Sequence, residues 1–160
     1  MHMRRMFVVI GVAVVGCGGM KGPDVAAYRT LGAEVASTVE SHRIASATLS
    51  GAECAAERDR YAAELRPMLQ RMTSMSGDMD ACMDEMGHAG SGDLQSTCAS
   101  MRAELDGHLA AACATADIAG EAARHATAMA GMVAHEMDAA GTMQGMMGSG
   151  GMMSGGDCHR

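Results

Sequence analysis

Residues 93–115 read DLQSTCASMRAELDGHLAAACAT, and their spacing decides the fold. Leu94, Cys98, Met101, Leu105, His108, Ala112 and Thr115 recur at steps of three and four, the period of an α-helix with one buried stripe. Asp93 stands where a side-chain oxygen would cap the first turn. Working outward, residues 24–49 carry the same period in Val25, Tyr28, Gly32, Val35, Val39, His42, Ser46 and Leu49. After Ser50-Gly51, residues 52–74 repeat it in Cys54, Arg58, Tyr61, Leu65, Met68 and Met72, continued by Met75, with Pro67 as the expected kink. Residues 117–142 present Ile118, Ala122, His125, Met129, Met132 and Glu136, and Met143 continues the stripe. Gly77, Gly87, Gly90 and Gly92 read as a connection, within which residues 78–86 can form a short helix. No segment alternates as a strand would. The expected fold is all-α: an antiparallel up-down four-helix bundle over residues 24–142, followed by a flexible Gly/Met-rich tail over 143–160.

The N-terminus is of a different kind. Arg4 and Arg5 precede an apolar run from Met6 to Val15, too short to span a bilayer, and Val14-Val15-Gly16-Cys17 closes it. This pattern resembles the lipobox of bacterial lipoproteins. The resemblance implies a signal peptide over residues 1–16, lipidation of Cys17 and a tether over 17–23. Gly18, where an Asp would alter sorting in that family, favours an outer-membrane anchor facing the periplasm.

Composition bounds the rest. Twelve basic and 19 acidic side chains give a net charge of −7, and loss of Arg4 and Arg5 with the leader takes it to −9. With no basic stripe and no Trp, nucleic acid is excluded as a partner. Phe7 lies in the leader, so Ala and Met must fill the core beside Tyr28 and Tyr61. Neither a G-x-S-x-G elbow nor a phosphate-cradling loop occurs, and His135-Glu136 lacks the second His of a zinc protease, so no enzyme is expected. Glu85 and His88 alone have the spacing of di-iron helices, which need it in pairs.

An exported chain can keep disulfides. If the second and third helices are antiparallel, Cys54 and Cys113 share one end and Cys82 and Cys98 flank the connection at the other, giving the expected pairs Cys54–Cys113 and Cys82–Cys98. Both can form only if the chain turns back near Gly77. Metal ligation by these thiols is the competing assignment, although no C-x-x-C is present.

Two groups of residues carry possible metal chemistry. Antiparallel alternation brings His42, His108 and His125 to one level, with Tyr61 at matching depth and Glu104 and Glu121 one turn before His108 and His125, placed to orient their rings. Three neutral imidazoles can hold Zn, Cu or Ni; the plain alternative is three hydrogen-bonded core histidines. The second group is Met143, Met146, Met147, Met152 and Met153 with Cys158 and His159. Thioether sulfur suits Cu(I), and these motifs resemble the methionine motifs of exported copper-handling proteins. Met68, Met72 and Met75 keep helix-core spacing and read as packing. The expected function is a lipid-anchored envelope protein that binds or buffers a soft metal, copper above others. The alternative is a structural lipoprotein whose Met-rich surface docks a partner.

Overall fold

A computed structural model describes residues 23–85, 87 and 93–149. The leader, Cys17, and the tail residues Met152, Met153, Cys158 and His159 lie outside them. Four helices follow in order: α1 Val25–Ser46, α2 Gly51–Glu85, α3 Asp93–Ala111 and α4 Ile118–Ser149. Short connections make neighbours antiparallel; α1 packs on α2 and α4, α3 packs on α2 and α4, and α2 and α4 lie nearly diagonal. This is the four-helix bundle expected from the sequence.

The helix ends follow from local chemistry. Asp24 Oδ1 accepts from Ala27 N at 2.9 Å, and Asp117 Oδ1 from Gly120 N at 2.9 Å, capping α1 and α4. At the start of α2, Glu53 Oε2 accepts from both Ser50 N and Ser50 Oγ, the glutamate half of a capping box. At α3 the sequence misleads: Asp93 is the first helical residue, and Gln95 N is capped from another helix, by Asp80 Oδ2 at 3.1 Å. Gly87, at φ +74°, takes the left-handed conformation beyond α2, and its N–H bonds back to Asp84 O at 2.9 Å.

Three expectations need correction. First, α2 does not stop near Ser74 or turn at Gly77; it runs unbroken for 35 residues. Pro67 is tolerated because it faces solvent, where the carbonyl it leaves unpaired meets water. Gly77 sits inside the helix, and its missing Cβ leaves room for the Gln95 side chain. Second, the continuous helix removes the Cys82–Cys98 pair. Ser76, not Cys82, stands at the level of Cys98, and six helical residues separate these positions by about 9 Å along the axis, beyond disulfide reach. Cys98 is a free, buried thiol, and Cys82 is disulfide-bonded to a cysteine other than Cys98. Third, α4 continues past 142 to Ser149, and Met143 is completely buried. It belongs to the core rather than to a metal-capturing tail.

Cys54 and Cys113 do pair, with Cα atoms 5.7 Å apart, tying the start of α2 to the end of α3. Inside, Tyr28, Leu31, Val35, Leu65, Leu69 and Leu105 share the core with Met72, Met79, Met101, Met129 and Met143. Met supplies the volume that large aliphatics usually provide, each fully buried side chain contributing roughly 1.5–3 kcal/mol. Among the described residues no helix is long and apolar enough to cross a membrane.

Candidate metal centre

Each helix delivers one ring to a single buried layer: His42 from α1, Tyr61 from α2, His108 from α3 and His125 from α4. All four are at most 3 % exposed. The rings form two stacked pairs, His42 on Tyr61 with centroids 3.9 Å apart and His108 on His125 at 4.0 Å. The pairs meet edge to face, His42 against His108 at 5.2 Å and Tyr61 against His125 at 5.8 Å. The shared level deduced from helix alternation is therefore present, including the depth of Tyr61.

Every imidazole binds a carboxylate through Nδ1. His42 contacts Glu57 at 2.9 Å, His125 contacts Glu104 at 3.1 Å, and His108 contacts Glu121 at 3.4 Å. The sequence points to Glu104 for His108 and Glu121 for His125, each one turn away on its own helix; the structure exchanges them across the α3–α4 interface. A ring aimed into the core turns away from a carboxylate on its own helical surface, while the neighbouring helix presents its carboxylate to the ring's outer nitrogen. Glu57 is not among the residues singled out from spacing; its one signal is that it lies four residues before Tyr61.

Arginines on the rim orient these acids. Arg60 pairs with Glu57 at 2.7 Å; Arg124 reaches Glu121 at 2.6 Å and Glu104 at 3.4 Å. The Arg60 hydrogen bond holds Glu57 below the usual carboxylate range, and Arg124 does the same for Glu121. The histidines move down as well: burial disfavours imidazolium at His42 and His125, and at His108 burial plus the neighbouring rings lowers the pKa to about 4.

An ionised carboxylate only accepts, so a hydrogen on each Nδ1 satisfies these three contacts and leaves each neutral ring a lone pair on Nε2, facing inward. Tyr61 donates its hydroxyl hydrogen to His125 Nε2 at 2.8 Å. His42 Nε2 and His108 Nε2, however, face one another at 3.0 Å. With both outer nitrogens protonated, two lone pairs meet at that distance and a metal ion between them relieves the repulsion; in the other tautomer of either ring, Nε2–H donates to its neighbour instead. Two nitrogens bound to one metal at about 2.0–2.1 Å stand roughly 3.3 Å apart at a tetrahedral angle, close to what is observed.

Among the described residues no three His, Cys, Asp or Glu side chains already surround one point in coordinating geometry. Two inward nitrogens are in place, and His125 Nε2 is held by Tyr61. Of the tail residues, Met143 is in the core, Met146 is partly buried on α4, and Met147 lies in the same helix. Compared with protein-family models, curated proteins and solved structures, the chain matches none of them.

Proposed function

We propose that this protein is a metal-binding bundle, holding a transition-metal ion, copper above others, between His42 and His108, with His125 as the third ligand once it exchanges Tyr61 for the metal. The supporting observation is the 3.0 Å approach of two inward Nε2 atoms whose outer nitrogens are both committed to carboxylates. Metal-ligating histidines characteristically donate their other N–H to a carboxylate, which fixes the tautomer and raises ligand basicity. Copper heads the affinity order for imidazole donors. The ion would be stored rather than used in turnover, because the layer is closed to solvent. Capture outside the imidazole layer we assign to Met146 and Met147 near the end of α4 and to Met152, Met153 and His159, on the softness of thioether sulfur. Lipid attachment at Cys17 in a bacterial envelope belongs to the same proposal and rests on the leader sequence.

A Met-rich docking surface finds less support. The methionines of the core cluster are buried or partly buried against it, and Ile44 is the exposed large apolar side chain among the described residues.

The test is a competitive copper titration, in both oxidation states, of the full chain beside a His42→Ala/His108→Ala variant and a chain truncated after Ser149. Loss of tight binding in the histidine variant, with helicity kept, supports the bundle site. Equal affinity in wild type and histidine variant overturns it, and loss confined to the truncation moves the copper to the tail.

A further inference from the structure

Cys82 is disulfide-bonded, and three of the other cysteines are accounted for: Cys54 and Cys113 hold each other, and Cys98 is a free, buried thiol. The surroundings of Cys98 keep it out of disulfide exchange. Its thiol donates to Glu136 Oε1 at 3.7 Å and bonds Ser76, and it lies 3.7 Å from the Tyr28 hydroxyl, which donates to Glu136 Oε2. Burial pushes this thiol up, so little of the attacking thiolate forms. Cys82 also lies about 9 Å farther along α2 than the level of Cys98. With six cysteines in the chain, Cys17 and Cys158 remain as partners for Cys82.

The helix order sets which end of the bundle is involved. Cys82 stands three residues before the end of α2 and is 2 % exposed. Asp80 beside it caps α3 at Gln95, and Arg29 near the start of α1 bonds Gln144 near the end of α4 at 2.8 Å. The end of α2, the start of α1 and the end of α4 therefore share one end. Cys158 follows Ser149 by nine residues, a reach of up to about 30 Å, against a bundle diagonal of roughly 14 Å. Cys17 has a comparable reach, but as the lipobox cysteine its sulfur carries the lipid. We propose that Cys158 is the partner of Cys82 within one chain, so that residues 150–160 are a strap bound covalently across this end of the bundle. The choice of Cys158 over Cys17 rests on the lipid-anchor reading; the bonded state of Cys82 does not. Closing the strap breaks two S–H bonds and makes one S–S bond. Two protons and two electrons pass to the disulfide of a thiol–disulfide exchange oxidant, which leaves as its dithiol. The bond withdraws the Cys158 sulfur from metal ligation and holds Met152, Met153 and His159 at the end where α2 carries Met75, Met79 and Met83. Reduction releases the strap.

The full chain, produced with export and isolated without reductant, is denatured, alkylated, digested with trypsin and read by mass spectrometry. The expected result is peptide 72–102 joined to peptide 125–160 with a single alkyl group, on Cys98, beside peptide 44–58 joined to peptide 103–124. Reduction separates both pairs. In Cys158→Ser, peptide 72–102 is expected to carry alkyl groups on both Cys82 and Cys98, with the Cys54–Cys113 link retained. Peptide 72–102 joined to a peptide holding Cys17, joined to a second copy of itself, or alkylated at both cysteines in wild type overturns the proposal. So does a 72–102 link to 125–160 found only in a disulfide-linked dimer. The same digest reads the mass on Cys17. The strap link beside an unlipidated Cys17 keeps the strap and removes the anchor, so the two readings fail separately.

Discussion

Glu104 hydrogen-bonds His125 on the neighbouring helix at 3.1 Å, not His108 one turn along its own. Together with Glu121 reaching back to His108, this laces α3 to α4 through two carboxylate–imidazole bonds, both held from outside by Arg124. Orientation of the inward nitrogens therefore depends on the interface between two helices.

Removing these acids separates metal affinity from folding. Glu57→Gln or Glu121→Gln leaves an amide that can still meet Nδ1 but no longer dictates its protonation, so metal affinity is expected to fall about 10–100-fold. Competitive titration with helicity as the control decides this. Unchanged affinity in both variants contradicts the tautomer assignment.

The imidazole layer makes the metal-free protein sensitive to acid. With folded pKa values below the ordinary histidine value of 6.5, reaching about 4 at His108, the unfolded chain binds more protons than the folded one in between. This contribution is complete above about pH 6.5 and is lost as pH falls toward 4. Urea midpoints between pH 7 and pH 4 should decline, and less steeply in His108→Asn.

Glu136 acts in the opposite direction. Its pKa of about 7 lies above the carboxyl value of 4.5, so the folded state holds a proton that the unfolded chain has released. The contribution is complete below about pH 4.5 and is lost as pH rises through 7. Glu136→Gln should therefore be stabilising relative to wild type at pH 8 and close to neutral at pH 4, read from thermal midpoints. A variant destabilised equally at both values would show that the hydrogen bonds, and not the charge, dominate there.

The Cys54–Cys113 bridge closes a separation of 59 residues. Cys54→Ser/Cys113→Ser is expected to cost about 2–5 kcal/mol in chemical denaturation, an upper-range effect because the core is poor in large aliphatics.

Met143 distinguishes core from tail. As a fully buried side chain it should lose about 2–5 kcal/mol on Met143→Ala without changing copper affinity. A stable variant with weakened copper binding would return it to the capture tail.

Much of the fold could be read from periodicity. The stripe of α3 runs through Leu94, Cys98, Met101, Leu105 and His108, all of them buried, and the same helical period placed His42 and His125 at its level. Local sequence failed at 77–85, where Gly77 looked like a breaker. Intrinsic propensity weighs about 1 kcal/mol at a glycine, and packing against α3 outweighs that. The α3 cap was missed for a related reason, since Asp80 is 15 residues from Gln95 and only a continuous α2 carries it there.

Four amphipathic helices, their alternation, the Cys54–Cys113 pairing and the common depth of three imidazoles follow from residue order, because each depends on distances counted along a helix or across one antiparallel turn. Tertiary structure alone decided which carboxylate meets which histidine, that Cys98 stays a thiol beside Glu136, and that Asp80 Oδ1 is left without a partner. Those outcomes turn on the rotation and axial offset of one helix against the next, which side-chain packing across the whole interface sets and no local spacing encodes.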